Sequence, residues 1–119
     1  MITSMAISVH SSNSAPDTWI AEAKVCPSAS IFAEHFPEYP VLPGAFIVGF
    51  VTEHSVEAFG LAGWPPPHIR RISFVRPISP GDHLTVSIQR TEERTVQFKI
   101  FAGADICTRG VLQFPGGRE

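Results

Sequence analysis

With 119 residues, a net charge of −2 and 17 % charged residues, the chain has the size and balance of one folded domain, residues 1–119, and not of a nucleic-acid-binding segment. Its 44 % hydrophobic content is ordinary for a folded protein, but no stretch reaches the roughly 20 apolar residues of a membrane span. The N-terminus lacks the basic start and apolar core of a signal peptide. Cys26 and Cys107 form neither a disulfide framework nor a metal-ligand pattern, so a cytoplasmic protein is expected.

In chain order, residues 2–10 alternate Met5, Ile7 and Val9 with small or polar neighbours, which predicts a strand. Ser11 to Asp17, with Asn13 and Pro16, predict a turn, and Thr18 to Cys26 a second strand that completes a hairpin. A rigid arm follows, from Phe32 to Gly44, in which Pro37, Pro40 and Pro43 disfavour regular helix or ladder. His35 stands among these prolines. After Pro43-Gly44 an apolar run predicts a buried helix from Gly44 to Gly60, about 25 Å long. Its first half, Ala45 to Val51, is apolar on nearly every side, which demands wrapping. Gly60, Gly63 and Pro65-Pro66-Pro67 end it.

Strands are predicted at about 69–76, 83–91, 95–102 and 106–114, with turns at Pro80-Gly81-Asp82 and Glu92-Glu93. Two strands, one long helix and four more strands indicate an α+β fold with an antiparallel sheet. A sheet curled around one helix covers only part of it, so dimerisation is expected to bury the rest. The arm delivers an imidazole beside a helix N-terminus, where free N–H groups favour negative charge, a plausible arrangement for carbonyl chemistry.

The arm reads H-F-P-x-x-P-V-x-P-G, carried by His35-Phe36-Pro37, Pro40-Val41 and Pro43-Gly44. It resembles the 3-hydroxyacyl-ACP dehydratases of fatty-acid and polyketide synthesis, which have the hotdog fold. A second stretch, from Ile72 through Pro80-Gly81-Asp82 to Leu84, resembles that family's strand–turn–strand after the helix. The likeness spans residues 3–114, while the family's N-terminal helix and its Leu-Pro-His-Arg segment have no counterpart here.

The resemblance implies a hotdog dimer, with an antiparallel sheet wrapped around one long central helix. It implies dehydration of 3-hydroxyacyl thioesters on an acyl carrier protein to trans-2-enoyl products; no cofactor is expected, and no spacing here matches a metal site. His35 would remove the α proton, and an ordinary imidazole pKa near 6.5 suits that task at neutral pH. Gly44, with no Cβ, would let the substrate carbonyl reach its N–H, which polarises the thioester oxygen.

The departures concern the acid. Where the family carries Glu or Asp in the helix this chain has Gly49, where it often has Gln this chain has Glu53, and the residue before the histidine is Glu34 in place of Gly. Glu53 lies one turn beyond Gly49 on the same face, so it reads either as a displaced acid or as the point where the helix meets solvent. Glu34 and Glu38 flank His35 and offer alternative acids, although carboxylates in such arms are usually solvated. Arg70, Arg71, Arg76, Arg90 and Arg109 also read as largely solvated; the resemblance implies that some meet the carrier protein. Phe46, Phe50, Phe74 and Phe98 read as core ahead of substrate tunnel, although in this fold the two overlap.

Three functions are thereby on the table. One is a dehydratase acting as a homodimer. The second is a non-catalytic or half-catalytic subunit of a heterodimer whose partner supplies the acid, and the third a hotdog thioesterase, which the arm disfavours.

Overall fold

The computed structural model describes residues 6–27, 29, 31–34, 41–61 and 64–116. Along these run β1 (Ile7–Ala15), β2 (Thr18–Val25), α1 (Ile31–Glu34), α2 (Gly44–Phe59), β3 (His68–Phe74), β4 (His83–Glu92), β5 (Thr95–Ala102) and β6 (Asp105–Gln113). The strands form one antiparallel sheet in the order β1-β2-β4-β5-β6-β3. The chain leaves β2 near one edge, passes through α2, and re-enters as β3 at the opposite edge. Among the described residues no helix is long and apolar enough to cross a membrane.

Period-2 patterning decides which face of the sheet receives α2. Leu84, Val86 and Ile88 of β4, Val96, Phe98 and Ile100 of β5, and Leu112 of β6 are all buried, while Gln89, Gln97, Lys99 and Arg109 point the other way into solvent. From α2, Ile47, Phe50, Val51 and Ser55 are buried, whereas Ala45 is exposed and Phe46, Val48 and Gly49 are only partly covered. One sheet thus wraps one side of the helix.

Glycine fixes two details. Gly60 closes α2 in the left-handed conformation, φ 66°, and its N–H donates to the Val56 carbonyl at 3.0 Å. Gly110 lets β3 and the Phe98 ring close on β6, since a Cβ there would stand 2.7 Å from the Arg71 carbonyl oxygen and 2.9 Å from the ring.

Helix and strand order agree with the sequence pattern, and four details differ. β1 runs on to Ala15, so the expected Ser11–Asp17 turn shrinks to Pro16-Asp17; Ser14 and Ala15 pair with Trp19 and Thr18. This segment is polar because it is an exposed edge, with no second face to bury. Glu92 closes β4, leaving Glu93-Arg94 as the turn. Ile31–Glu34 at the head of the arm forms a single helical turn, ahead of the first arm proline. Phe74, expected in the core, is 55 % exposed. His35 and Glu38, with the rest of residues 35–40, lie outside the described residues.

Gly110→Ala is expected to destabilise the fold by about 1–3 kcal/mol, the range for forcing an extra methyl group into packed surroundings. Urea unfolding at an unchanged m-value checks this; an unaltered midpoint would mean that the strands yield freely at that point.

Candidate active site

The start of α2 is held against the far edge of the sheet. Just before it, the Leu42 N–H donates to the Ile78 carbonyl at 2.9 Å, tying the end of the arm to the loop between β3 and β4. Pro43 is the N-cap residue, and its carbonyl accepts from the N–H groups of Phe46 and Ile47 at 3.1 and 3.2 Å. Among the described residues no side chain caps this terminus, and no acidic residue lies in its first turn. The positive end of the helix dipole is therefore not neutralised by the helix's own side chains.

A pocket of about 260 Å³ opens here, lined by Leu42, Gly44, Ile47, Phe74, Arg76 and Thr108 among others. Its walls are mainly apolar, and three of these residues have specific geometry. A Cβ on Gly44 would stand 2.7 Å from Cζ of Phe74, so any other residue would push that ring aside from the helix start. Arg76 donates from Nη1 to Cys107 Sγ at 3.3 Å and lies 3.5 Å from Asp82 Oδ2; the hydrogen bond to Cys107 raises its pKa above the ordinary value. Thr108 is 1 % exposed, and its hydroxyl has no hydrogen-bond partner among the described residues. Buried hydroxyls ordinarily find one.

Gly44 thus stands where the sequence placed it, at the opening of the helix and on a pocket. Glu53 does not line that pocket. Nine residues further along the helix, it lies about 13 Å from Gly44 along the axis. It is nonetheless not a solvent-face residue: it is partly buried, and its Oε2 is shielded from water. One chain therefore brings the helix start and Glu53 to different places. Sequence reasoning missed Thr108 as a pocket wall. The available signal was a threonine at a core-facing position of β6, in line with Leu112.

His54, beside Glu53, is packed rather than displayed. Its ring stacks on Trp19 at 4.7 Å between centroids and meets Phe50 at 4.5 Å. Burial lowers its pKa, and the neighbouring carboxylates of Glu53 and Glu57 oppose that shift in part.

An α+β chain with one helix laid across a six-stranded antiparallel sheet, and an arm that ends at the helix start, defines a hotdog protein. The chain matches the ApeI-like dehydratase model over residues 11–111, and it belongs to that family. It is 35 % identical over 94 residues to the 3-hydroxyacyl-[acyl-carrier-protein] dehydratase FabZ of Aeromonas hydrophila, covering 72 % of this chain and 52 % of that protein. The chain therefore spans about half the length of this relative. Among solved structures, the dehydratase heterocomplex ApeI:P from Xenorhabdus doucetiae superposes with a TM-score of 0.79 at 20 % identity, covering 88 % of this chain and 94 % of that one. The dehydratase domain of PpsC from Mycobacterium tuberculosis gives 0.73 at 16 % identity, covering 93 % of this chain and 44 % of that one. These two likenesses show the fold.

His54 generates a pH prediction. Below its ordinary pKa near 6.5 the unfolded chain takes up a proton that the packed imidazole resists, so stability falls as pH drops from about 7 toward the folded-state value. His54→Phe keeps a ring against Trp19 and Phe50 and is expected to flatten this part of the profile. Urea midpoints of both proteins at about pH 7 and about pH 5.5 check it; parallel profiles would contradict it.

Proposed function

We propose that this chain dehydrates 3-hydroxyacyl thioesters carried on an acyl carrier protein, giving trans-2-enoyl thioesters, at sites built from two hotdog subunits. The observation that carries the reading is the uncapped N-terminus of α2, opening at Gly44 onto a mainly apolar pocket. That geometry suits a thioester oxygen gaining negative charge, with the acyl chain in apolar surroundings. The H-F-P-x-x-P-V-x-P-G arm and membership of a dehydratase family give the reaction class.

The chemistry is a β-elimination. His35 takes the α proton while the Gly44 N–H polarises the thioester carbonyl. The Cα–Cβ double bond forms, the Cβ–O bond breaks, and the hydroxyl leaves as water with a proton from Glu53 of the second subunit. The separation of Gly44 and Glu53 within one chain supports assigning them to different halves of a site. The shielded Oε2 of Glu53 supports its pointing into protein rather than bulk water. Exposed Ile69, Phe74 and Val75 along and just beyond edge strand β3, with the partly covered Phe46 and Val48 of α2, supply apolar surface for the second subunit.

A second reading has its own support. The position of the family's helix acid is Gly49, and the neighbour from Xenorhabdus doucetiae is a heterocomplex. On this reading the chain contributes His35 and Gly44, and a different hotdog subunit contributes the carboxylate.

One experiment separates the two. If Glu53 is the acid, the purified protein dehydrates a 3-hydroxyacyl-ACP alone, and His35→Ala and Glu53→Gln each lower kcat by about 10²-fold or more, as the loss of a general base or acid does. If the chain is half of a heterodimer, it is inert alone, gains activity with the partner subunit, and tolerates Glu53→Gln. An active His35→Ala variant, within about tenfold of wild type, would remove the imidazole from the mechanism.

A further inference from the structure

The solvent face of the sheet, opposite α2, carries a charge arrangement that the pocket at Gly44 does not use. Strand register places Ser87, Lys99, Arg109 and Ser73 in one row across β4, β5, β6 and β3, and Gln89, Gln97, Val111 and Arg71 in the next. Neither row contains a carboxylate. Continued onto β2, the rows reach Ile20 and Thr18, still without one. Lys99, Arg109 and Arg71 are all exposed, and none of the three pairs with a carboxylate among the described residues. Arg76 and Arg90, by contrast, lie against Asp82 and Asp17.

This arrangement is unfavourable for the empty sheet. Lys99 and Arg109 are direct cross-strand partners, with Cβ atoms about 5 Å apart, and like charges so placed destabilise a ladder. Exposed surfaces ordinarily intersperse the two signs. The chain as a whole is net negative, yet every Lys and Arg except Lys24 and Arg118 falls between Arg70 and Arg109. Between the side chains lies a trough of about 310 Å³, bordered by Arg71, Ser73, Gln97, Lys99 and Arg109. It adjoins, through Arg71 and Gln97, a second hollow that Arg70 and Glu92 border. The trough offers two guanidinium forks, an ammonium group, an amide and a hydroxyl, with no anionic group in its walls.

We propose that this trough binds a small soluble phosphate ester, with Arg71 and Arg109 gripping phosphoryl oxygens and Lys99 neutralising the remaining charge. Three cations across three adjacent strands, about 10 Å in all, exceed what one carboxylate neutralises. Planar guanidinium groups match the oxygens of phosphate in pairs. An anion in the trough also relieves the Lys99–Arg109 repulsion, so the cost of the arrangement without ligand is returned on binding.

The test uses the whole protein and two probes, inorganic pyrophosphate and adenosine 3′,5′-bisphosphate, with acetate as the carboxylate control. At low salt, saturable amide shifts are expected at Ser73, Lys99 and Arg109, weakening as salt rises. The double variant Lys99→Gln/Arg109→Gln is expected to bind at least tenfold more weakly while melting no lower than wild type. Arg94→Gln, in the β4–β5 turn, leaves binding unchanged. Acetate at equal concentration produces smaller shifts. The proposal is overturned if neither probe saturates, if acetate binds as well, or if the double variant and Arg94→Gln lose affinity equally.

Discussion

The structure depends on where the first turn of α2 is pinned. The hydrogen bond from Leu42 to Ile78 and the fit of Gly44 under Phe74 fix the helix start at the β3 edge of the sheet. From there the helix runs over the buried faces of β4, β5 and β6. The residue that caps it is Pro43, which offers no side-chain oxygen, and the residue that opens it, Gly44, lines the pocket without a Cβ. A serine or aspartate cap would stabilise the helix by about 1 kcal/mol and would occupy N–H donors of its first turn. The helix forgoes that contribution, and on the proposed function its donors serve a substrate carbonyl.

On the proposed function, the same placement divides the chemistry. Gly44 and Glu53 lie about 13 Å apart along one helix, so the roles assigned to them fall at different heights on it. Two chains running past one another would bring them together. The incomplete cover of Phe46, Val48 and Gly49, together with apolar residues exposed near the β3 edge, marks the surface that such a neighbour would bury. The shielded oxygen of Glu53, one turn beyond Gly49, fits a carboxylate directed into protein.

Much of this was legible in the residues. Period-2 alternation marked β4, β5 and β6 almost to the residue, because each buries one face and wets the other. Gly44 and Gly60 bounded the helix, the one as punctuation and the other through its left-handed conformation. The outer half of β1 was not legible, since an edge strand without a second face to bury reads as turn. Phe74 looked like core by composition, yet it stands in the short space between a strand and a glycine, which no local pattern reports. Thr108 and the Lys99–Arg109 pair are products of register: their significance depends on which strands become neighbours. The aromatic packing of His54 against Trp19 arises the same way, from residues far apart in sequence.

The central claim is that one site draws on two chains, and complementation between inactive variants tests it most directly. His35→Ala and Glu53→Gln proteins, each inactive alone, are mixed, unfolded and refolded together to exchange subunits. A shared site predicts recovery to about one quarter of wild-type activity, because half of the dimers are mixed and each mixed dimer holds one intact site of two. If wild type is active alone and the mixture recovers nothing above the two variants measured separately, the site belongs to a single chain and the account is contradicted.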